Sequence, residues 1–484
     1  MEPLSWSGAL GPILNPLMLA FVVVFVLGFL TQGAMAVAGI KPGEPIFHPD
    51  HTITMTRSPI DYANLSMRYS VLALVIAAVI YIIGGVVMPS PEAKGILGGM
   101  AARLLPVWIA LIITFVLSIT YKRKLGLYGK LFDSPIGMIG FALVMFWTFT
   151  AIFAGIVITH GPIDVISGMR NEVPGTPLSA LGDGDFPFYL LGGDNLGRDV
   201  FSRMVMGARE VLKIAPAATL FAFMVGITLG LPAGYFGGKM DTIITFVANL
   251  VLAFPVILLF YLLVTPEIVA TGIPVYMAAV LFLLPILFLI VLFNSRYFTQ
   301  PKLRNMLVAG IVIVCGWFYL SLISEASDDS PLYILPAAID GFDIPGNILI
   351  VFVSVVFVNS PTVFRIVRGI VLDIKTRDYV AAGQTRGEGP WYIMLWEILP
   401  NARGPLIVDF CLRIGYTTIL LGTLGFFGLG VSPESPDWGS TINEGRRLLS
   451  IYPHPALPPA LALMSMVLGL NLLADGLREE SLKD

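Results

Sequence analysis

The sequence predicts an all-α integral membrane protein, on composition, on the length of its apolar runs and on where its basic residues fall. Hydrophobic residues make up 56% and charged residues 13% of the 484. Soluble domains carry roughly 25% charged residues, so this chain has too little polar surface to cover a water-soluble fold. Mean hydropathy is +0.84. Apolar runs recur at lengths close to the roughly 20 residues that a helix needs to cross the hydrocarbon core. Lys and Arg collect between alternate runs, as they do in cytoplasmic loops.

Eleven spans are expected, near 13–37, 70–88, 104–120, 135–159, 212–236, 243–265, 274–294, 306–324, 346–364, 405–429 and 456–475. The first opens with Glu2 and no Lys or Arg before it, unlike the positive start of a signal peptide. The polar stretch 40–69 is expected as loop or surface-bound structure on the inner side. Lys122, Arg123, Lys124 and Lys130 follow the third span, and Arg296, Lys302 and Arg304 follow the seventh. Arg365, Arg368, Lys375, Arg377, Arg386 and Arg403 follow the ninth. All three groups are assigned to the cytoplasm, which sets the N-terminus outside and the C-terminus inside. The intervening loops are acidic or mixed, with Glu325, Asp328 and Asp329 in one and Glu434 and Asp437 in another. The Gly-, Pro- and Asp-rich stretch 160–210 then faces outward. Pro255 falls inside an apolar run and is expected to kink its helix.

The loop 365–403 holds most of the functional signal. It runs through Asp378, Tyr379, Ala381, Ala382, Gly383 and Gly387 to Glu397, Leu399, Pro400 and Asn401. Small residues at Ala381, Ala382 and Gly383 allow close approach of another surface, and Gly387 suits the left-handed end of a helix. The reading is a short helix, a glycine break and a second helix stopped by Pro400, together forming a docking knob. This loop resembles the EAA loop of ABC-importer permeases, with a small-residue triplet, a Gly and a Leu-Pro at the same spacing. Four further blocks resemble the C-type subunit of the dipeptide/oligopeptide/nickel permeases. They are the run holding Asp194, Gly197, Arg198, Asp199 and Arg203; Ala233 to Gly238 with Asp241; Phe427 to Val431 with Trp438, Gly439 and Glu444 to Arg446; and Asn471 to Arg478.

That resemblance implies a type I importer permease core of about six helices, plus roughly five additional transmembrane helices, in the cell inner membrane. Residues 1–130 are extra N-terminal helices, 131–265 the first core half with outer loop 160–210, 266–345 an inserted pair, and 346–484 the second half with coupling loop 376–401. It implies translocation of peptides or similar small solutes and a coupling helix at Asp378 to Gly387. The implied partners are a B-type permease chain, two ATP-binding-cassette ATPases holding the ATP and Mg, an extracytoplasmic solute-binding protein and membrane lipid. The sequence departs from the pattern at Ala381, Gly383, Glu397 and Leu421.

Outside these blocks, Asp409 and Arg413 stand four apart on one helix face, as a mutual pair or a contact to the pathway. Arg198 and Asp199 are read either as a gating or partner contact or as solvated loop charges. His48, Asp50 and His51 could hold a metal only with a third strong ligand, so no metal site is assigned. His160 and His454 read as structural residues near helix ends, and Cys315 and Cys411 as small apolar fillers. A net charge of −3 gives no case for a nucleic-acid partner. No phosphate loop, nucleophile elbow or His-Glu-x-x-His helix is present, so no catalytic residue, and no cofactor bound by this chain, is assigned. The alternatives are an ion-coupled secondary transporter or an uncoupled scaffold with a permease-like fold.

Overall fold

The computed structural model describes residues 2–41, 43, 45–47, 53–55, 58–178, 186–325, 346–429 and 434–481. The His48–His51 pair, Asp328, Asp329, Gly430 and Val431 lie outside them. The principal helices are α1 (Gly11–Val37), α2 (Pro59–Val87), α3 (Pro91–Arg103), α4 (Leu105–Tyr121), α5 (Pro135–Ile152) and α6 (Val200–Phe236). Next come α7 (Gly238–Leu252), α8 (Val256–Val264), α9 (Ile273–Leu281), α10 (Leu283–Arg296), α11 (Pro301–Glu325) and α12 (Gly346–Ile374). The last four are α13 (Asp378–Thr385), α14 (Arg403–Phe427), α15 (Trp438–Arg446) and α16 (Leu457–Ser481). Strands among the described residues are two short antiparallel pairs, β1 (Pro45–Phe47) with β2 (Ile53–Met55) and β3 (Thr176–Pro177) with β4 (Phe188–Tyr189).

Ten helical stretches among the described residues are long and apolar enough to cross a membrane, or eleven if α7 and α8 count as one span. Those two meet at a bend of 84°. Pro255 causes it: the residue has left helical geometry (φ −58°, ψ 122°) and the chain restarts behind it. Three boundaries differ most from the sequence reading. Helix α2 starts at Pro59, eleven residues before the expected 70, because Ser58 and Asp61 form a capping box around Pro59. Ile60 N donates to Ser58 Oγ (3.3 Å), and Ser58 N donates to Asp61 Oδ2 (2.8 Å). Ser90 and Ser134, each before a proline, cap α3 and α5 more simply, by accepting from Ala93 N (3.2 Å) and Gly137 N (3.3 Å). Helix α6 starts at Val200 and not at 212, with Arg203, Arg209, Glu210 and Lys213 inside it, so charge had masked its first three turns. Helix α12 runs to Ile374, which places Arg365 and Arg368 on a helix and not in a loop.

The chain divides into two compact units. The first holds Met1–Pro106 and Ile156–Phe201. Its close packing rests on glycine: a Cβ on Gly85 would come within 2.4 Å of Gly98 O, and one on Gly28 within 2.8 Å of Met67. Gly95 (φ +65°) breaks α3, and the freed amides of Ile96 and Leu97 donate to Ser5 O and Trp6 O, each at 3.0 Å.

The second unit holds Val107–Gly155 and Ser202–Asp484. Its core joins Trp147, Phe260, Val355, Leu424, Trp438 and Met466. Two helix pairs approach through glycine. Gly226, Gly230 and Gly234 on α6 face Val363, Val367 and Val371 on α12, and a Cβ on each would fall 2.5, 2.9 and 2.8 Å from its valine partner. On α5 and α16, a Cβ on Gly476 would come within 2.4 Å of Gly137 Cα, and one on Gly140 within 2.3 Å of Leu473 N. Ala278 of α9 and Phe282, which follows it, pack against Leu349 and Val353 of α12.

Candidate functional site

Helix α13 opens the predicted coupling loop 376–401. Arg377 is extended (ψ 148°) and gives no side-chain cap, while Asp378 puts its carboxylate in the first turn, where the helix dipole favours it. The far end closes as a Schellman motif. Glu388 N donates to Gly383 O (3.2 Å), Gly387 N donates to Gln384 O (3.0 Å), and Gly387 takes φ +78°. Val380 and Gly383 are buried, whereas Asp378, Tyr379, Ala381, Ala382, Gln384 and Thr385 are exposed. The small residues at 381 and 382 therefore lie on the free face.

The second half of the loop differs from the simple helix expected there. After Pro390 it winds as a π-helix over Ile393–Ile398, then makes one α-turn over Leu399–Asn401. Pro400 does not stop it. The proline sits at the start of that turn, and the backbone stays helical through Ala402, whose N–H reaches both Ile398 O and Leu399 O at 3.1 Å. Asn401 Nδ2 donates to Glu397 O (2.6 Å), doing for that carbonyl what a backbone amide does in an unbroken helix. Glu397 Oε1 accepts from Arg386 Nη2 at 2.7 Å and ties the two halves together.

The base of this knob is bound to neighbouring helices. Lys375 Nζ donates to Gly234 O (2.8 Å), and Gln384 Nε2 to Tyr235 OH (3.2 Å). Arg368 grips Asp241 with two hydrogen bonds, the Nη2–Oδ2 one 2.6 Å long. Arg377 pairs with Asp373 at 3.0 Å, and this contact holds its guanidinium pKa above the ordinary value. The Ala233–Gly238 block and Asp241 thus meet the loop in space, although more than a hundred residues separate them. Trp396 is a site residue that the sequence reading missed: its Nε1 donates to Ser295 Oγ (3.1 Å), and the Arg296 guanidinium lies 4.7 Å from its ring centre.

The outer-loop block falls in both units. In the first, Asp194, Arg198 and Asp199 are buried, so they are not solvated loop charges. Asp194 accepts from Leu196 N (2.8 Å), Arg198 N (2.9 Å) and Arg198 Nε (2.7 Å), and Gly197 turns at φ +88°. Asp199 accepts from Phe201 N (3.2 Å) and Thr159 Oγ1 (2.5 Å). His160 is no isolated residue. Its Nε2 donates to Phe186 O (2.9 Å), and its Nδ1 lies 3.4 Å from Asp199 Oδ2.

In the second unit, Arg203 is fully buried, and its guanidinium donates to Ser435 O (3.1 Å), Thr441 Oγ1 (3.2 Å) and Glu444 Oε2 (3.4 Å). Trp438 Nε1 donates to Met204 O (2.8 Å), and its indole leaves no room for a Cβ at Gly207. The Asp437 carboxyl caps α15 through Ser440 N (3.0 Å), and burial pushes its pKa above the ordinary carboxylate range. Arg413 Nε donates to Asp409 Oδ2 at 2.8 Å. Arg413 also lines a cavity of about 310 Å³ with Asn359, Thr362, Tyr416 and Thr423.

A bundle with ten helices, among the described residues, long and apolar enough to cross a membrane, and an exposed loop tied to two of them, fits the class of transport permeases. The chain belongs to the family of binding-protein-dependent transport system inner membrane components, whose model matches residues 226–479. A glutathione transport system permease protein GsiD from Pectobacterium atrosepticum is 30% identical over 299 residues, covering 62% of this chain and 74% of the relative. A dipeptide transport system permease protein DppC from Alkalihalophilus pseudofirmus is 25% identical over 352 residues, covering 73% and 87%. A DppC from Haemophilus influenzae is 27% identical over 297 residues, covering 61% and 75%. The chain is a multi-pass inner-membrane protein and a permease subunit of an ABC importer. The ion-coupled alternative is not favoured, and the carboxylate it would have used, Asp409, is bound to Arg413.

Proposed function

We propose that this permease carries peptides or similar small solutes inward, and that ATP hydrolysed in partner chains drives it through α13. The observation that carries the coupling role is the exposed face of α13, with small residues at its centre and a base fixed by Arg368–Asp241, Lys375–Gly234 and Gln384–Tyr235. A partner groove that grips this face can move the helices behind it. The cargo class rests on the relatives, which are named for glutathione and dipeptide transport. The assembly pairs this chain with a B-type permease, two ATPases that bind ATP and Mg, and an extracytoplasmic solute-binding protein. Residues 131–265 and 346–484 make up its core, with 1–130 and 266–345 as additions.

The test is purification of the tagged chain from gently solubilised membranes, with mass identification of what accompanies it. An ATPase carrying a phosphate loop and a second permease chain are expected. ATP-driven uptake of radiolabelled glutathione or dialanine into vesicles holding that complex then checks the cargo class. Recovery of the chain alone, even after cross-linking through 376–401, would refute the coupled reading.

A further inference from the structure

The end of α10 lies against the coupling loop, and nothing in the established family role accounts for it. Ser295 Oγ donates its one proton back to Leu292 O (2.9 Å), which leaves its lone pairs facing the Trp396 N–H at 3.1 Å. One residue on, the Arg296 guanidinium covers the same indole at 4.7 Å. Below them Phe288, Val291 and Leu292 pack against the cluster that buries Ile393, Met394 and Ile398. Helix α10 is itself held: Leu284 packs against the core that buries Val225 and Phe260.

The contact falls on the π-wound run Ile393–Ile398. π-Winding is rare and occurs mostly as single turns at functional sites, so a stretch wound this way needs outside support to keep one shape. The other side of the knob is tied to α6 and α7 through Tyr235, Gly234 and Asp241. Without α10 the π-turn would keep its packing on α6, α12 and α14 and the Arg386–Glu397 tie, but would lose every contact on the Trp396 side.

We propose that α10 braces the coupling loop, and that Ser295, Arg296 and Trp396 are positioning residues for ATP-driven transport. This rests on the permease reading. Arg296 and Trp396 touch no cargo in this role. They hold the second half of the loop so that a push on α13 moves α12 and α14 and is not lost in bending of the loop.

The test uses the full chain in lipid nanodiscs and reads hydrogen exchange of the 378–402 amides. Arg296 is exposed, so Arg296→Gln leaves the fold intact. Exchange across 390–402 is expected to quicken about threefold in Arg296→Gln, and about tenfold in Trp396→Leu, which loses the ring contact and the hydrogen bond together. The α12 and α14 amides stay unchanged, and Arg296→Lys restores protection. In the purified complex, the same variants lower the maximal ATP hydrolysis rate and leave the KM for ATP where it was. Unchanged exchange at 390–402 in both variants overturns the brace, and so does equal quickening throughout the chain, which marks plain destabilisation. A wild-type complex that hydrolyses no ATP overturns the importer reading instead, and the exchange data distinguish the two failures.

Discussion

At the scale of single residues, the positions that the sequence disclosed are those whose role is local. Gly387 is one: its φ of +78° is a property of one residue in one turn, and no neighbour would obstruct a side chain there. Gly387→Val therefore acts through the backbone alone, at about 1–2 kcal/mol of strain in the Schellman turn. The variant is expected to insert at wild-type abundance and to lose transport, checked by immunoblot of membranes beside an uptake assay. Asp437 carries the pH prediction. Burial raises its folded-state pKa, so the folded chain holds that proton more tightly than the unfolded chain does. The stability it contributes is complete below the unfolded aspartate value of about 3.9 and drains away as pH climbs through the raised folded value. Asp437→Asn keeps an acceptor for Ser440 N and cannot titrate. Its thermal midpoint should vary less than wild type between about pH 4 and 7, with the difference greatest at the neutral end. The burial of Asp199 and Arg203 was not legible, because Thr159, Ser435, Thr441 and Glu444 reach them from distant parts of the chain; Arg198 pairs with Asp194 only four residues away, but nothing in the sequence says that the pair is buried. Gly, Pro and Asp around them read equally well as a solvated turn.

At the scale of elements, composition and period predicted where helices lie, and chemistry at their ends decided where they start. Ser58-Pro59 and Asp61 form a capping box that was not read from the sequence, and the polar residues after them hid the first turns of α2. Charges hid the start of α6 for the same reason, since a hydropathy reading penalises an Arg that the fold later buries. The kink at Pro255 was legible because proline removes a donor wherever it stands. The π-winding over Ile393–Ile398 was not, because the residues packing on it come from several helices, α6, α10, α12 and α14. The α6–α12 contact makes a sharp prediction. Gly230→Leu puts four carbons where one Cβ would already sit 2.9 Å from Val367. Overpacking of this kind costs about 1–3 kcal/mol and forces the helices apart, so the midpoint of thermal unfolding in detergent should fall by several degrees. Gly369→Leu on α12, where a Cβ would meet nothing within 4 Å, is the control expected to change little.

At the scale of the whole molecule, the number of spans followed from the sequence, whereas the grouping of segments did not. Residues 156–201 share a compact unit with 1–106, and the link is backbone and packing: Leu4 N donates to Gly175 O (2.9 Å), and a Cβ on Gly99 would lie 2.9 Å from Leu190. Deleting residues 1–106 should therefore leave the outer segment without its support. Limited proteolysis of the truncated chain in membranes should cut within 160–199 at sites the full-length chain protects. Long-range pairings like these leave no periodic trace in either partner, which explains why the division could not be read beforehand. The α6–α12 contact bears on the molecule as a machine. Where Gly226, Gly230 and Gly234 meet the valines there is no layer of flexible side chains to be squeezed, and tightly packed interiors yield little under load. Under the proposed coupling the two helices would act as splined shafts: a stroke delivered to one would pass to the other with little lost motion at that joint.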